Sequence, residues 1–133
     1  MPVQPALTLG IGIARPLAEV YAFLAEPGNF AKWASGLGHS FHRIGDGEWR
    51  AETPMGPMTI RFTAPNPYGV LDHDVIPETG GAMHNPMRVV ANGDGSEVVF
   101  TLFQRPGVSD AAFARDADWV RRDLLALKTL LES

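Results

Sequence analysis

The chain contains no cysteine, which removes disulfide staples, thiolate nucleophiles and sulfur metal ligands together. No apolar run approaches the ~18 residues a membrane-spanning helix needs, and the N-terminus lacks a basic stretch followed by an apolar core. Neither a membrane span nor a secretory signal is expected, and a cytoplasmic location is. Positive charge is also scarce. The 11 Lys and Arg stand against 15 Asp and Glu, a net charge of −4, with no basic cluster of the kind that releases counterions from a phosphate backbone. Nucleic acid is therefore not an expected partner. Equally absent are a Gly-rich phosphate loop ending in Lys-Ser or Lys-Thr, a nucleophile-elbow serine and a helical His-Glu pair with metal spacing. Gly10-Ile11-Gly12 before Ala14-Arg15 matches a dinucleotide fingerprint only superficially, because it falls inside a strand and lacks the third glycine. Its glycines more simply permit close approach by a neighbouring strand or side chain. No cofactor is expected.

What is present is an ordinary globular composition, 45% hydrophobic and 20% charged over 133 residues, enough for a single domain spanning 1–133 with one core. Leu7, Leu9, Ile11 and Ile13 alternate with small or polar residues, the period of a strand with one buried face. Pro16 suits a first helical position, and Leu17, Val20, Tyr21, Phe23 and Leu24 then recur at helical spacing until Pro27-Gly28. A second short helix carrying Phe30 and Trp33 is predicted to end near Ser35-Gly36. From about residue 38 to 104, turn chemistry at Gly45–Gly47, Pro54–Pro57, Pro65–Pro67, Pro77–Gly81 and Asn92–Gly95 divides the chain into a meander of strands. The Asn92–Gly95 hairpin carries the clearest signal. Ser109 is a candidate N-cap for a long amphipathic helix whose apolar stripe is Phe113, Ala117, Val120, Leu124, Leu127 and Leu131. Asp118 and Arg122 are predicted to pair one turn apart on its solvated side.

Alternation sorts the strand faces. Trp49, Ala51 and Thr53 oppose Glu48, Arg50 and Glu52; Met58, Ile60 and Phe62 oppose Arg61; Met87, Val89 and Ala91 oppose Arg88. The charged residues, with Asp72, Asp74 and Glu97, read as cross-strand pairs on a solvated face. Leu71, His73 and Val75 break this rule by placing a histidine inward. Two readings of His73 stay open: a buried imidazole satisfied by a hydroxyl or carbonyl, or a ligand contact. His39 and His42, three apart in a strand, point to opposite faces, so no metal site is expected. Asp116 and Asp123 lie between the helix stripe and a flank bearing Ala112, Trp119 and Leu130. They are read as structural pairs or a subunit contact, with a share in a ligand site as the alternative. Trp119 and Leu130 could mark a homodimer contact.

The segment Val20–Phe30 with Trp33, together with Gly69–His73, Pro86–Val90, and Gly95–Glu97 leading into Phe100–Phe103, resembles the polyketide cyclase/dehydrase-like branch of the START and Bet v 1-like superfamily. The resemblance spans nearly the whole chain, and the segments from Gly69 onward are similar to a bacterial subgroup of that family. It implies an α+β helix-grip fold: a curved antiparallel sheet of about seven strands, two short helices after the first strand, and a long C-terminal helix packed in the sheet. It also implies a cavity between sheet and helix, with a mouth near the second short helix and the strand loops. Matching positions that would line it are Trp33, Trp49, Met58, Phe62, His73, Met87 and Phe100. Members of the superfamily include lipid and steroid carriers, aromatic polyketide cyclases, hormone receptors and activators of the Hsp90 ATPase, and no catalytic constellation transfers intact.

Three functions follow as expectations. The first is binding of a small hydrophobic or aromatic ligand, a lipid or polyketide-like metabolite. The second is a cyclase, dehydratase or isomerase acting on a carbonyl compound, with His73 as acid or base and Thr53 or Thr101 orienting the carbonyl. The third is a protein-interaction module like the Hsp90 ATPase activators, using an apolar patch near Trp119 and Leu130.

Overall fold

The computed structural model describes residues 3–37 and 40–133. Eight strands, β1 (Ala6–Ile13), β2 (Ser40–Gly45), β3 (Glu48–Thr53), β4 (Gly56–Phe62), β5 (His73–Pro77), β6 (Met83–Asn85), β7 (Met87–Asn92) and β8 (Gly95–Phe103), are all antiparallel to their neighbours. Helix α1 (Leu17–Leu24) and two 3-10 turns, Pro27–Lys32 and Ser35–Leu37, follow β1, and helix α2 (Asp110–Glu132) closes the chain. This is the expected α+β helix-grip arrangement with one strand more than anticipated. Pro86, with no N–H to give to a ladder, divides one long strand into β6 and β7.

That division leaves two ladders, β1-β8-β7 and β2-β3-β4-β5-β6, and the segment 69–72 stitches them together. Leu71 N–H donates to the Met87 carbonyl at 2.8 Å and Val89 N–H to the Gly69 carbonyl at 3.0 Å. Asp72 completes the seam. Its Oδ1 accepts from Met87 N–H at 2.9 Å and from Arg88 Nε at 3.0 Å, and its Oδ2 accepts from Arg88 Nη2 at 2.9 Å. These bonds hold the Asp72 carboxyl below its ordinary value of 3.8, the Arg88 bond being the largest cause. The stabilisation is therefore complete above that value and lost as pH falls through the lower pKa of the folded protein. Replacing Asp72 by Asn, which leaves the Arg88 guanidinium without its charged acceptor, is expected to cost about 1–3 kcal/mol. Urea denaturation of both proteins checks this: the gap should be full at pH 7 and close in acid, and a gap that ignored pH would contradict it.

The expected faces hold across the break. Met83, Asn85, Met87 and Val89 keep one phase through Pro86, with Met87 and Val89 buried. Ala91, expected inward, is exposed near the end of β7. On the outer face Glu48 lies directly opposite Arg61 and pairs with it at 3.1 Å, and Arg50 reaches Glu78 at 2.7 Å. Glu97 lies over the paired glycines of β1, close enough that a Cβ on Gly10 would meet its carboxylate at 3.1 Å. The Asn92–Gly95 hairpin forms as expected, with Asn92 paired to Gly95 and Gly93 at a φ of 58°.

The helices begin where capping chemistry allows. Ser109 Oγ accepts from Ala112 N–H at 3.1 Å, so Ser109 is the N-cap of α2. Pro16 takes the N-cap of α1 in extended conformation, one position before the expected first turn. The second helix differs more. It is a 3-10 segment that starts at Pro27 itself, capped by the Glu26 side chain accepting from Gly28 N–H, and it stops at Lys32 so that Trp33 lies just outside it. Pro-Gly thus initiates this turn, in keeping with the tolerance of a first helical position for a missing N–H. Ala117, Leu124 and Leu127 of α2 are buried against Leu9, Ile13, Val20 and Val98 in one core. The end of α2 is pinned to the end of β1, where Glu132 accepts from Ala14 N–H at 2.8 Å and Lys128 donates to the Gly12 carbonyl at 2.8 Å. The expected Asp118–Arg122 pair is replaced by Asp118–Arg121 at 3.0 Å, because Arg122 lies over the Trp119 ring, 5.5 Å from its centre. No helix of the described residues is long and apolar enough to cross a membrane.

Candidate functional site

A cavity of about 200 Å³ lies between the sheet and α2. Its walls come from elements brought together by the register already described. Ile60 and Val75 are direct partners across β4 and β5, and His73 and Asn85 are direct partners across β5 and β6. Directly opposed residues of antiparallel strands project from the same face with Cβ atoms roughly 5 Å apart, so His73 and Asn85 form a polar pair among apolar neighbours. Met58, Phe100, Phe30 and Trp33 complete the interior, and Val120 closes it from α2. Buried Ala34 completes the lining, and the more exposed Gly36, Thr53, Trp119 and Asp123 form its rim, beside the second 3-10 turn, where the family resemblance implies a mouth.

His73 is the polar centre of this interior. The side chain is 4% exposed, and Phe30, Phe62 and Phe100 surround its ring with centroid distances of 5.2, 6.0 and 6.0 Å. Nδ1 lies 3.2 Å from the Leu71 carbonyl. A carbonyl can only accept, so Nδ1 carries the hydrogen. Burial pushes the imidazole below its ordinary pKa, against the raising influence of the Leu71 bond and of Asp72 and Asp74. The ring is therefore neutral near pH 7, and Nε2 is a bare acceptor. Among the described residues no buried side-chain nitrogen or oxygen is left unsatisfied. Nε2 makes no hydrogen bond to them, and the His73 ring borders both the cavity and a smaller void beside Phe62 and Met87. The structure thus bears on the first reading of His73, a buried imidazole satisfied by a carbonyl.

Asp123 stands at the opposite end. Its Oδ1 accepts from the Ser35 hydroxyl at 2.7 Å and from Ser35 N–H at 3.3 Å, tying α2 to the second 3-10 turn. Burial raises its carboxyl above the usual value, with the Ser35 bonds and Arg122 opposing the shift. Trp119, 47% exposed, lies over Gly36, where a Cβ would come within 3.8 Å of the indole. The tryptophan read as a subunit contact therefore forms part of the rim. Asp116 is separate from the cavity and lines a surface cleft with Met83, His84 and Arg105.

The other sequence candidates divide. Trp33, Met58, His73 and Phe100 line the cavity. Trp49 does not: it stacks on Phe41, with ring centres 4.7 Å apart, and borders an outer groove with Arg43 and Pro65. Phe62 and Met87 lie behind His73, around a small void of about 20 Å³. Thr53 reaches the rim, but its hydroxyl closes the β3–β4 turn by donating to the Gly56 carbonyl at 2.7 Å and accepting from Met55 N–H at 3.1 Å. Thr101 pairs with Thr8 at 3.1 Å and is not among the cavity residues. Neither threonine is placed to orient a carbonyl. Of the two histidines weighed for metal, His42 is exposed on β2 and His39 lies outside the described residues. No group of three His, Asp or Glu among the described residues is arranged to hold a metal ion. Asn85 was missed because Pro86 reads as a strand terminator; extending the Met87–Val89 alternation backward through it would have placed Asn85 inward.

An antiparallel sheet gripping a C-terminal helix around an apolar cavity defines a helix-grip domain. The chain matches the polyketide cyclase / dehydrase and lipid transport family over residues 4–132 and belongs to that family. No curated protein matches it. Among solved structures it is similar to an uncharacterized protein from Bacillus thuringiensis (14% identity, 97% of this chain and 100% of that one, TM-score 0.77). It is also similar to the Aha1 dimer from Colwellia psychrerythraea (17%, 96% and 96%, TM-score 0.73) and to Ara h 8.0201 (11%, 97% and 98%, TM-score 0.72). At these identities the likeness is one of fold.

Proposed function

We propose that the protein binds a small apolar ring compound in the cavity between the sheet and α2. The observation that carries this reading is an interior of about 200 Å³ walled by Phe30, Trp33, Met58, Ile60, Val75 and Phe100, with a few polar residues, Thr53, His73, Asn85 and Asp123, among the described lining. Ligand sites combine an apolar wall with a few placed polar groups in this way. Size narrows the choice. An apolar cavity of roughly 150 Å³ takes up benzene, so this one suits one or two fused rings and is too small for a steroid or a long acyl chain. The polyketide cyclase and lipid transport description of the family is consistent with ring or lipid ligands, and the cavity size favours the former.

Isothermal titration with naphthalene tests the reading. One molecule should bind per chain with Kd on the order of 10–100 μM, the affinity expected from ten well-buried carbon atoms, while cholesterol and palmitate should not compete. Failure of naphthalene to bind, or equal binding of cholesterol, would remove the proposal.

A catalytic use of the same cavity has one observation in its favour, the neutral His73 imidazole in its lining, whose Nε2 would be the group to take a proton from a bound carbonyl compound. The interaction and homodimer readings keep the exposure of Trp119 and Leu130 in their favour, Trp119 serving the cavity rim as well.

A further inference from the structure

Among the described residues, the polar side chains that line the cavity on the strands β5 and β6 are His73 and Asn85, and they are neighbours. His73 and Asn85 are opposed in register across β5 and β6, and both line the space. The Leu71 carbonyl takes the Nδ1 hydrogen of His73, which leaves Nε2 able to accept and unable to donate. The Asn85 side-chain amide makes no hydrogen bond to the described residues, and half-buried Asn85 borders both the cavity and the cleft of Asp116. It offers both a donor and an acceptor. The acidic group of the cavity lining is Asp123, whose Oδ1 is taken by Ser35.

We propose that His73 is the specificity-determining residue of the cavity, accepting a hydrogen bond at Nε2 from an uncharged ring ligand that carries an O–H or N–H donor, with the Asn85 amide as the ligand's second polar contact. This rests on the reading of the cavity as a binding site. The physical basis is an asymmetry. A ring without a donor covers a buried acceptor and leaves it unpaired, which costs more than the hydrogen bond gains when it forms. A site built around such an acceptor therefore discriminates strongly against analogues that lack the donor. An anionic analogue fares worse still, because its charge loses its hydration in a low-dielectric interior where the neutral Asn85 amide is the donor opposite His73 and Nε2 is an acceptor.

Three probes of nearly equal shape separate the outcomes: naphthalene, 2-naphthol and 2-naphthoate, titrated calorimetrically at pH 7.5 into the wild-type protein and His73→Leu. In the wild type 2-naphthol should bind about tenfold more tightly than naphthalene, and 2-naphthoate more weakly than either. In His73→Leu the preference for 2-naphthol should vanish while naphthalene binds at least as well. If naphthalene binds and 2-naphthol binds no better, the specificity proposal is overturned while the cavity reading stands. If none of the three binds, the cavity reading itself has failed. Tightest binding by 2-naphthoate also overturns the proposal, since it would show that a donor such as the Asn85 amide, and not the Nε2 acceptor, sets the preference. Imidazole nitrogen NMR on the wild type needs no variant to fold. The His73 signals should show hydrogen on Nδ1 and none on Nε2, with the Nε2 resonance moving when 2-naphthol is added; a hydrogen on Nε2 in the free protein overturns the assignment.

Discussion

Replacing Gly69 by alanine is expected to cost about 3–5 kcal/mol, a large part of the stability of a domain this size. Two causes add. Gly69 has a φ of +71°, and a residue with a Cβ in the left-handed region gives up roughly 1–2 kcal/mol. The larger cause is space: a Cβ at this position would lie 2.2 Å from the Val89 carbonyl oxygen, which is backbone and cannot rotate aside. Val89 is also 1% exposed and packed in the core, so its strand has no room to withdraw. The alternative is for residue 69 to move, and its carbonyl accepts the Val89 N–H bond of the seam. Either displacement opens the junction between the two ladders where Pro86 has already removed a donor. Chemical denaturation with two spectroscopic probes checks the loss, and a cost below about 1 kcal/mol would show that the seam is softer than these contacts imply.

The seam also shows how far the sequence could be read. Strand β1 and helix α2 were legible because each has a single strong period, two for Leu7–Ile13 and near 3.6 for Phe113–Leu131, and each buries one face against the same core. The inward face of β5 followed from Leu71 and Val75, and with it the position of His73. Periodicity says which face a residue takes; it does not say which part of a long curved face is cavity and which is packed. Trp49, Met58, Phe62 and Met87 share a phase with cavity residues. Yet Trp49 stacks on Phe41, and Phe62 and Met87 fill the space behind His73, because sheet curvature and the 3-10 turns decide where the hollow falls. The rim was harder still. Asp123 reaches it only through Ser35, 88 positions away in the chain, and no local pattern encodes that pairing. Thr53 was credited with ligand chemistry because its outward commitment, a bond to Gly56 within its own turn, is invisible until the turn closes. The same holds for Arg122, drawn from Asp118 to the face of Trp119.

Filling the cavity should separate binding from folding more sharply than any deletion. Val75 lies on β5 opposite Ile60 and Met83 and forms part of the cavity wall. Phenylalanine is well suited to a strand, and its ring would occupy about 50 Å³ more than valine at a place where the native protein has empty space. Occupying a void restores contacts that its lining lacks, so Val75→Phe should hold or raise stability by about 1 kcal/mol, following the ~24 cal/mol per Å³ measured for cavities of the opposite sign. Ligand binding should move the other way. Excluding about 100 Å² of a two-ring ligand from the wall costs about 2.5 kcal/mol, roughly a seventyfold loss of affinity. A Val120→Phe variant, which enters the same space from α2, should repeat the result from the opposite wall. Thermal denaturation and naphthalene titration of the two variants read the two quantities independently. Loss of binding together with loss of stability would point to a distorted fold. Unchanged affinity in both variants would mean that the ligand binds elsewhere than between the sheet and α2.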